Sequence, residues 1–429
     1  MKKNLIKTLG PGILFASTAI GVSHLIQSTQ AGANFGFTML IFVVLANLFK
    51  YPFFEFGSRY ANATGQSIIS GYKDLGNWVL YLYFVITIIS MFLVTAAVGY
   101  GTSAFMQQLF GLNDTLLTVG IVFIVCIALL ITDNFGMLDG LIKVIGIVLL
   151  ISTLTAFVLV LIKGAQGNQP LMSFDNINRN DYIAFLIPLM GWMPTAVDLS
   201  AWNSLWTIER IRQTGYHPKL KETLFDFNLG YVLSSLLAIC FITLGAFVMF
   251  GTDNSFSDSP AAFSADVIDL YTNTFGGWAY WIIAISAFSI MFGTCIAVFD
   301  GYSRSMSTII RLMQGKKEHA ENEQNEKNVK MLYRVVLVII SIGAFILIYL
   351  FLPTPENPKA FKKMVNLATS VSFILAPVIA VFNLILVSKK HVGEKFVPPF
   401  WIKLTAWLGI AFLTAFTFFY IFQDQFLTN

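Results

Sequence analysis

Apolar residues along this chain come in runs of about 18 to 25, each enough for a bilayer core of roughly 30 Å, with short polar stretches between them. Eleven spans can be drawn: Gly10 to Gln30, Phe35 to Phe56, Trp78 to Leu109, Leu116 to Thr132, Leu141 to Ile162, Tyr182 to Trp206, Leu224 to Phe250, Trp278 to Met306, Tyr333 to Leu352, Phe361 to Val387 and Phe400 to Phe422. Two of them are not uniform. The first carries Gly21-Val22-Ser23-His24 in its middle, and a continuous lipid-facing helix does not place such a run at mid-depth, where unpaired polar groups cost several kcal/mol. The sixth carries Gly191-Trp192-Met193-Pro194 at the corresponding place, where Pro194 removes a backbone donor and crowds the preceding turn. Both are expected to be interrupted helices.

Composition agrees with this pattern. The 429 residues are 56% hydrophobic and 12% charged, with a mean hydropathy of +0.72. The expected fold class is an all-α polytopic membrane protein forming one transmembrane domain over residues 1–429, because domain-size rules drawn from soluble chains do not apply. The formal charge of +4 does not suggest a nucleic-acid partner, since the basic residues are spread over loops and form no single face. They fix orientation instead. With the amino terminus in the cytoplasm, only Lys163, Arg179, Lys359, Lys362 and Lys363 of the 27 basic residues fall outside, leaving about 22 inside. That orientation puts the carboxyl terminus outside. The setting is a plasma membrane of bacterial inner-membrane type, and the lipid bilayer is the expected partner. Met1-Lys2-Lys3 before an apolar run has the look of a signal peptide, but ten further spans make an export signal unnecessary.

In this topology spans one to five begin inside and spans six to ten begin outside. Residues 10–162 and 182–387 therefore form two inverted five-helix repeats, each opening with its interrupted helix, and the span at 400–422 lies outside the repeat. This arrangement places a substrate site between helices 1 and 6. No phosphate-cradling GxxxxGK[ST], GxSxG elbow or HExxH is present, so an enzyme or an ATP-driven pump is not expected, nor is a bound cofactor. Cys126, Cys240 and Cys295 lie far apart in apolar runs and are expected to pack as small hydrophobes. The polar stretch Gly315 to Lys330, with His319, is expected to be a solvated connector.

The candidate substrate-binding residues are Gly21, Ser23 and His24 on the first break and Met193 and Thr195 on the sixth. His24 and Met193 are the candidate metal ligands: a neutral imidazole binds transition metals, and a thioether is a soft donor that prefers them to magnesium or calcium. Each also has a plainer explanation, a hydrogen-bonded packing histidine and a flexible core methionine. Asp198, just beyond Met193, is the candidate coupling or gating residue, with Arg304 as a possible partner; it could equally be a vestibule carboxylate. Asp226 and Asp300 are weaker candidates, Glu55 and Arg59 are expected to form an ion pair one turn apart, Trp192 to wall the site, and Trp202 and Trp206 to anchor at the interface.

Gly10-Pro11-Gly12, the break, and then Ala31-Gly32-Ala33-Asn34-Phe35-Gly36-Phe37 resemble the first helix of the Nramp (natural-resistance-associated macrophage protein) family of proton-coupled divalent metal transporters, and Met193-Pro194 resembles that family's Met-Pro-His. The resemblance implies the amino-acid-transporter or LeuT-like superfold, with a site framed by helices 1 and 6 and two bundles that rock against each other. It also marks departures. The family's Asp-Pro-Gly-Asn falls on Gly21-Val22-Ser23-His24, its Met-Pro-His on Met193-Pro194-Thr195, and a second histidine falls near Ser200. The acidic residues that the family carries on helix 3 are absent from Trp78 to Phe105. Three functions remain open: secondary transport of a transition-metal ion, transport of a small anion or zwitterion on the same fold, and a sensor or scaffold that moves nothing.

Overall fold

The first interrupted helix is held at both ends by contacts that only glycine permits. The structure, a computed structural model, describes residues 7–132, 134–172, 177–252, 256–257, 259–318, 323–352, 354 and 359–422. Helix α1 (Pro11–Ala19) passes into a π-helical stretch, Val22–Ser28, and then into α2 (Thr29–Phe35). Their partner is a helix from the second half of the chain, Leu220–Val248. A Cβ on Gly12 would lie 1.9 Å from the Asp226 carbonyl oxygen, and one on Gly230 would lie 1.8 Å from that of Gly12. Further along, Gly32 meets the Ile242 carbonyl and Gly245 that of Thr29, each at 2.0 Å. Without a hydrophobic force between helices in lipid, such small residues allow backbone-to-backbone approach and its dispersion gain.

The chain then turns sharply. Gly36, at φ +58°, leads a short 3₁₀ turn into α3 (Leu40–Thr64), and the Phe37 N–H donates to the Leu171 carbonyl at 2.8 Å. Next come α4 (Ile68–Leu75), α5 (Asn77–Phe110), α6 (Thr115–Leu130) and α7 (Phe135–Lys163). The second half runs α8 (Arg179–Trp192), a 3₁₀ turn at Val197–Leu199, α9 (Ser200–Thr214), α10 (Leu220–Val248), α11 (Pro260–Phe275), α12 (Tyr280–Met313), α13 (Glu323–Leu350), α14 (Ala360–Leu386), α15 (Lys389–Val392) and α16 (Phe400–Ile421). Among the described residues nine helical runs are long and apolar enough to cross a membrane. The first of them, Pro11–Thr64, holds 54 residues, and Thr115–Leu130 is a shorter apolar helix.

The two interrupted segments lie at the centre, and Met193, Val197 and Ser23 are all essentially buried. Helices α7 and α16 lie at the periphery, with Ile147, Ile151, Ile162 and Trp401 at 60 to 78% exposure. Such apolar faces suit hydrocarbon rather than water. Two helices longer than a single turn differ from expectation: α4 and α11 lie in stretches that the hydropathy pattern leaves as loops. Both are short, and α11 carries polar residues throughout, so neither stands out as a continuous apolar run.

Candidate functional site

The first interruption falls slightly earlier than Gly21–His24. Helix α1 ends at Ala19, Ile20 leaves helical geometry at φ −86°, ψ 51°, and Gly21 follows at φ −114°, ψ −119°. Gly21 faces α12, where a Cβ would meet the Thr294 side chain at 2.6 Å, and Thr294 Oγ1 donates to the freed Ser17 carbonyl at 2.6 Å. The Ser23 hydroxyl lies 2.5 Å from the Ala19 carbonyl and 3.3 Å from the Pro194 carbonyl. That last contact joins the two interrupted segments.

His24 is fully buried, and its ring points to α10. Nε2 donates to the Ser234 carbonyl at 2.9 Å, and Nδ1 lies 2.8 Å from Ser23 Oγ. A carbonyl can only accept, so Nε2 carries a proton here. Both nitrogens are thus engaged within the protein in this conformation.

The second interruption is wider. Helix α8 ends at Trp192, Met193 is extended at φ −96°, ψ 119°, Ala196 is extended too, and helical geometry resumes at Val197. The carbonyls of the last turn of α8 lose their usual partners. Met190 would accept from residue 194, which is proline and has no N–H, and Gly191 would accept from Thr195, which lies beyond the break.

A lysine from α3 fills the gap. Lys50 Nζ, fully buried, donates to the carbonyls of Met190 at 2.6 Å, Gly191 at 2.8 Å and Thr195 at 3.4 Å. Three donors meet three acceptors, and the cation sits at the carbonyl end of a half-helix, where the helix dipole favours it. Asp198 lies in the first turn after the gap and interacts electrostatically with Lys50. Its backbone carbonyl accepts from the Tyr83 hydroxyl at 3.1 Å, while its buried Oδ1 has no hydrogen-bond partner.

Between the two breaks is a void of about 20 Å³, the size of one water, lined by Thr18, Ser23, Trp192, Thr195 and Thr294 with apolar neighbours. Ser23 and Thr195 therefore converge, and Trp192 walls the space as expected. Gly21, His24, Met193 and Asp198 do not line it. A cavity of about 730 Å³ opens on one side among Gln27, Gln30, Asn34, Asp181 and Asn366. Another of about 310 Å³ lies near Glu209, Arg212, Arg304 and Arg311.

The remaining candidates have structural partners. Asp226 accepts from the Gly10 and Gly12 N–H groups at 2.9 and 2.7 Å, capping the amino end of α1. Asp300 accepts from Arg304, Trp206 Nε1 and the Tyr333 hydroxyl, each at 2.9 Å, so Arg304 pairs with Asp300 and not with Asp198. Glu55 and Arg59 form the expected ion pair, which is buried and reaches the Phe396 carbonyl. Trp202 and Trp206 are 1% exposed, which overturns interfacial anchoring for both: one packs on Gly301 and Tyr302, the other bonds Asp300. All three cysteines are buried and free, and Cys126 and Cys295 touch at 3.9 Å. His319 lies outside the described residues.

Among the described residues no group of three or more His, Cys, Asp or Glu side chains is placed to hold a metal ion. The residue that sequence patterning missed is Lys50. Its signal was there: a lone charge after the apolar stretch Ile41 to Phe49.

Three comparisons bear on this arrangement. Residues 12–423 match the family described as natural resistance-associated macrophage protein-like. An uncharacterised protein of Pasteurella multocida is 35% identical over 97% of this chain and 92% of its own length. A divalent metal cation transporter of Lacticaseibacillus casei is 23% identical over 94% of this chain and 86% of its own. Among solved structures, a manganese transporter of Eremococcus coleocola superposes with a TM-score of 0.72 at 15% identity, covering 97% of this chain and 86% of that one. Mhp1, a nucleobase-cation-symport-1 family transporter, gives 0.54 at 11% identity, covering 97% and 93%.

Proposed function

The chain belongs to the Nramp family, and from that premise we propose that it is a secondary transporter that carries a metal ion through the gap between its two interrupted helices by alternating access. The observation that carries this reading is the Ser23–Pro194 contact, which brings both breaks to one point in the buried centre. At that point α1 and α8 both end on their carbonyl side, and the carbonyl oxygens freed at those two ends are groups that can coordinate a cation. Ser23 and Thr195 supply hydroxyls there, Met193 can supply a thioether by rotating from the core, and His24 can supply nitrogen by leaving Ser234. The divalent metal transporters among the relatives support the same cargo.

The topology we propose has eleven crossings, with Pro11–Thr64 counted as two and Thr115–Leu130 as one, and the amino terminus in the cytoplasm. The large cavity then faces outward. Asp300, Arg304, Trp206 and Tyr333 form the inner closure, joining α12, α9 and α13 at the opposite end. Coupling to protons is part of the proposal, with Asp198 as its candidate carboxylate.

A second reading, transport of a small zwitterion, is favoured by one observation: the buried ammonium of Lys50 is a fixed positive charge beside the gap, and no carboxylate stands on the first break. Uptake into proteoliposomes separates the two. The metal reading expects manganese uptake that is lost in a Ser23→Ala, Thr195→Ala double variant. Absence of manganese, iron or zinc uptake, together with uptake of an amino acid, would establish the second instead.

A further inference from the structure

The carbonyls of Met190, Gly191 and Thr195 form a cation seat, and it is already taken. We propose that Lys50 is a tethered cation which competes with the transported ion for this seat and thereby sets the protein's affinity for metal. The inference rests on the metal reading above.

The argument starts from the break itself. The break after Trp192 leaves the Met190 and Gly191 carbonyls of α8 without their helical N–H partners, and in a membrane interior such groups must be satisfied from within the protein. Three neutral carbonyl oxygens converging at the negative end of a half-helix are what a bare cation requires. The Lys50 ammonium meets the requirement with all three of its protons, at 2.6, 2.8 and 3.4 Å, and it is wholly shielded from solvent. The seat spans the gap: two oxygens belong to the last turn of α8 and the third lies beyond Pro194. A metal ion cannot share those oxygens with an ammonium, because at contact distance two cations repel strongly in a medium of low polarity.

Charge balance points the same way. Lys50 interacts electrostatically with the buried Asp198, whose Oδ1 has no hydrogen-bond partner. With Lys50 present, the region is neutral and its best oxygens are occupied. With Lys50 neutralised, the seat is vacant beside an uncompensated carboxylate, and both changes favour an incoming cation. Lys50 therefore acts as a specificity-determining residue without being a ligand itself.

The test uses the purified full-length protein and thermal-shift titration with manganese chloride and, separately, sodium chloride. Lys50→Gln retains amide protons for the carbonyls and removes the charge; Lys50→Met removes both, and Lys50→Arg retains the charge. Stabilisation of Lys50→Gln at manganese concentrations about tenfold below those needed by the wild type is expected, with Lys50→Arg resembling the wild type. Equal concentrations for Lys50→Gln and wild type would overturn the proposal. So would a failure of both neutral variants to respond to either ion. If the wild type moves no metal while Lys50→Gln binds it, the transport reading fails and the tethered-cation inference stands.

Discussion

Lys50 and Asp198 stand on opposite sides of the gap in the sixth span, the ammonium at the carbonyl end of α8 and the carboxylate in the first turn that follows. Each charge thus occupies the helix end whose dipole favours it, and the two compensate each other in a region without solvent.

Removing one partner leaves the other unbalanced. Asp198→Asn should destabilise the protein by about 3–5 kcal/mol, the usual cost of stranding a buried charge. A double variant, Lys50→Gln with Asp198→Asn, should lose less than the sum of the two singles. Melting temperatures of the four proteins in detergent check this; strict additivity would mean that the two charges do not interact.

The crossing of α1 and α10 predicts a steep dependence on side-chain size. Gly230 lies so near the Gly12 carbonyl that even a methyl group must push the helices apart. Gly230→Ala should cost about 1–3 kcal/mol and Gly230→Leu more. Gly140, whose Cβ would meet nothing within 4 Å, is the control, and its alanine variant should melt like the parent. Equal melting of all three proteins would refute the packing argument.

His24 should behave as a packing residue in the resting protein. His24→Ala removes the imidazole N–H that the Ser234 carbonyl accepts in addition to its own helical bond, at a cost of about 0.5–1.5 kcal/mol, whereas His24→Gln can restore an N–H there and should recover part of the loss. If instead both variants melt normally yet lose metal-dependent stabilisation, His24 is a ligand first and a packing group second.

The Asp300 cluster predicts a change in access. Asp300, on α12, receives bonds from α9, from α13 and from Arg304 of its own helix, so Asp300→Ala unties α9 and α13 from α12 and leaves Arg304 with Glu209 as its carboxylate contact. A cysteine placed at Ser307, which lines the neighbouring cavity, should react faster with a maleimide in the Asp300→Ala background than without it. An unchanged rate would show that the cluster is not what restricts entry from that side.

Hydropathy and two helix breakers carried most of the architecture. Gly21 and Pro194 are local statements about backbone geometry, so both interruptions were legible to within a few residues. Partnerships were not. Whether His24 turns toward the gap or toward Ser234 depends on how α10 crosses α1, and that crossing is fixed by glycine contacts more than 200 residues apart in the chain, such as Gly12 with Gly230. The two tryptophans of α9 were misplaced for a similar reason: position near a span's end suggests an interface, yet Gly301 opens a slot for Trp202 and Asp300 gives Trp206 a buried acceptor. Lys50 was visible as an anomaly, but its role required knowing that α3 runs past the end of α8.

The paired glycine contacts between α10 and the two halves of the first span also limit how the molecule can change shape. Sliding one helix past the other by a turn, about 5.4 Å, would bring Asp226 or Ser234 opposite the Gly12 carbonyl, where no side chain fits. The joint can swivel but cannot ratchet. In the alternating access proposed above, α10 would travel with the first span as one lever, with Ile20 and Gly21, where the helix is already open, as its bend.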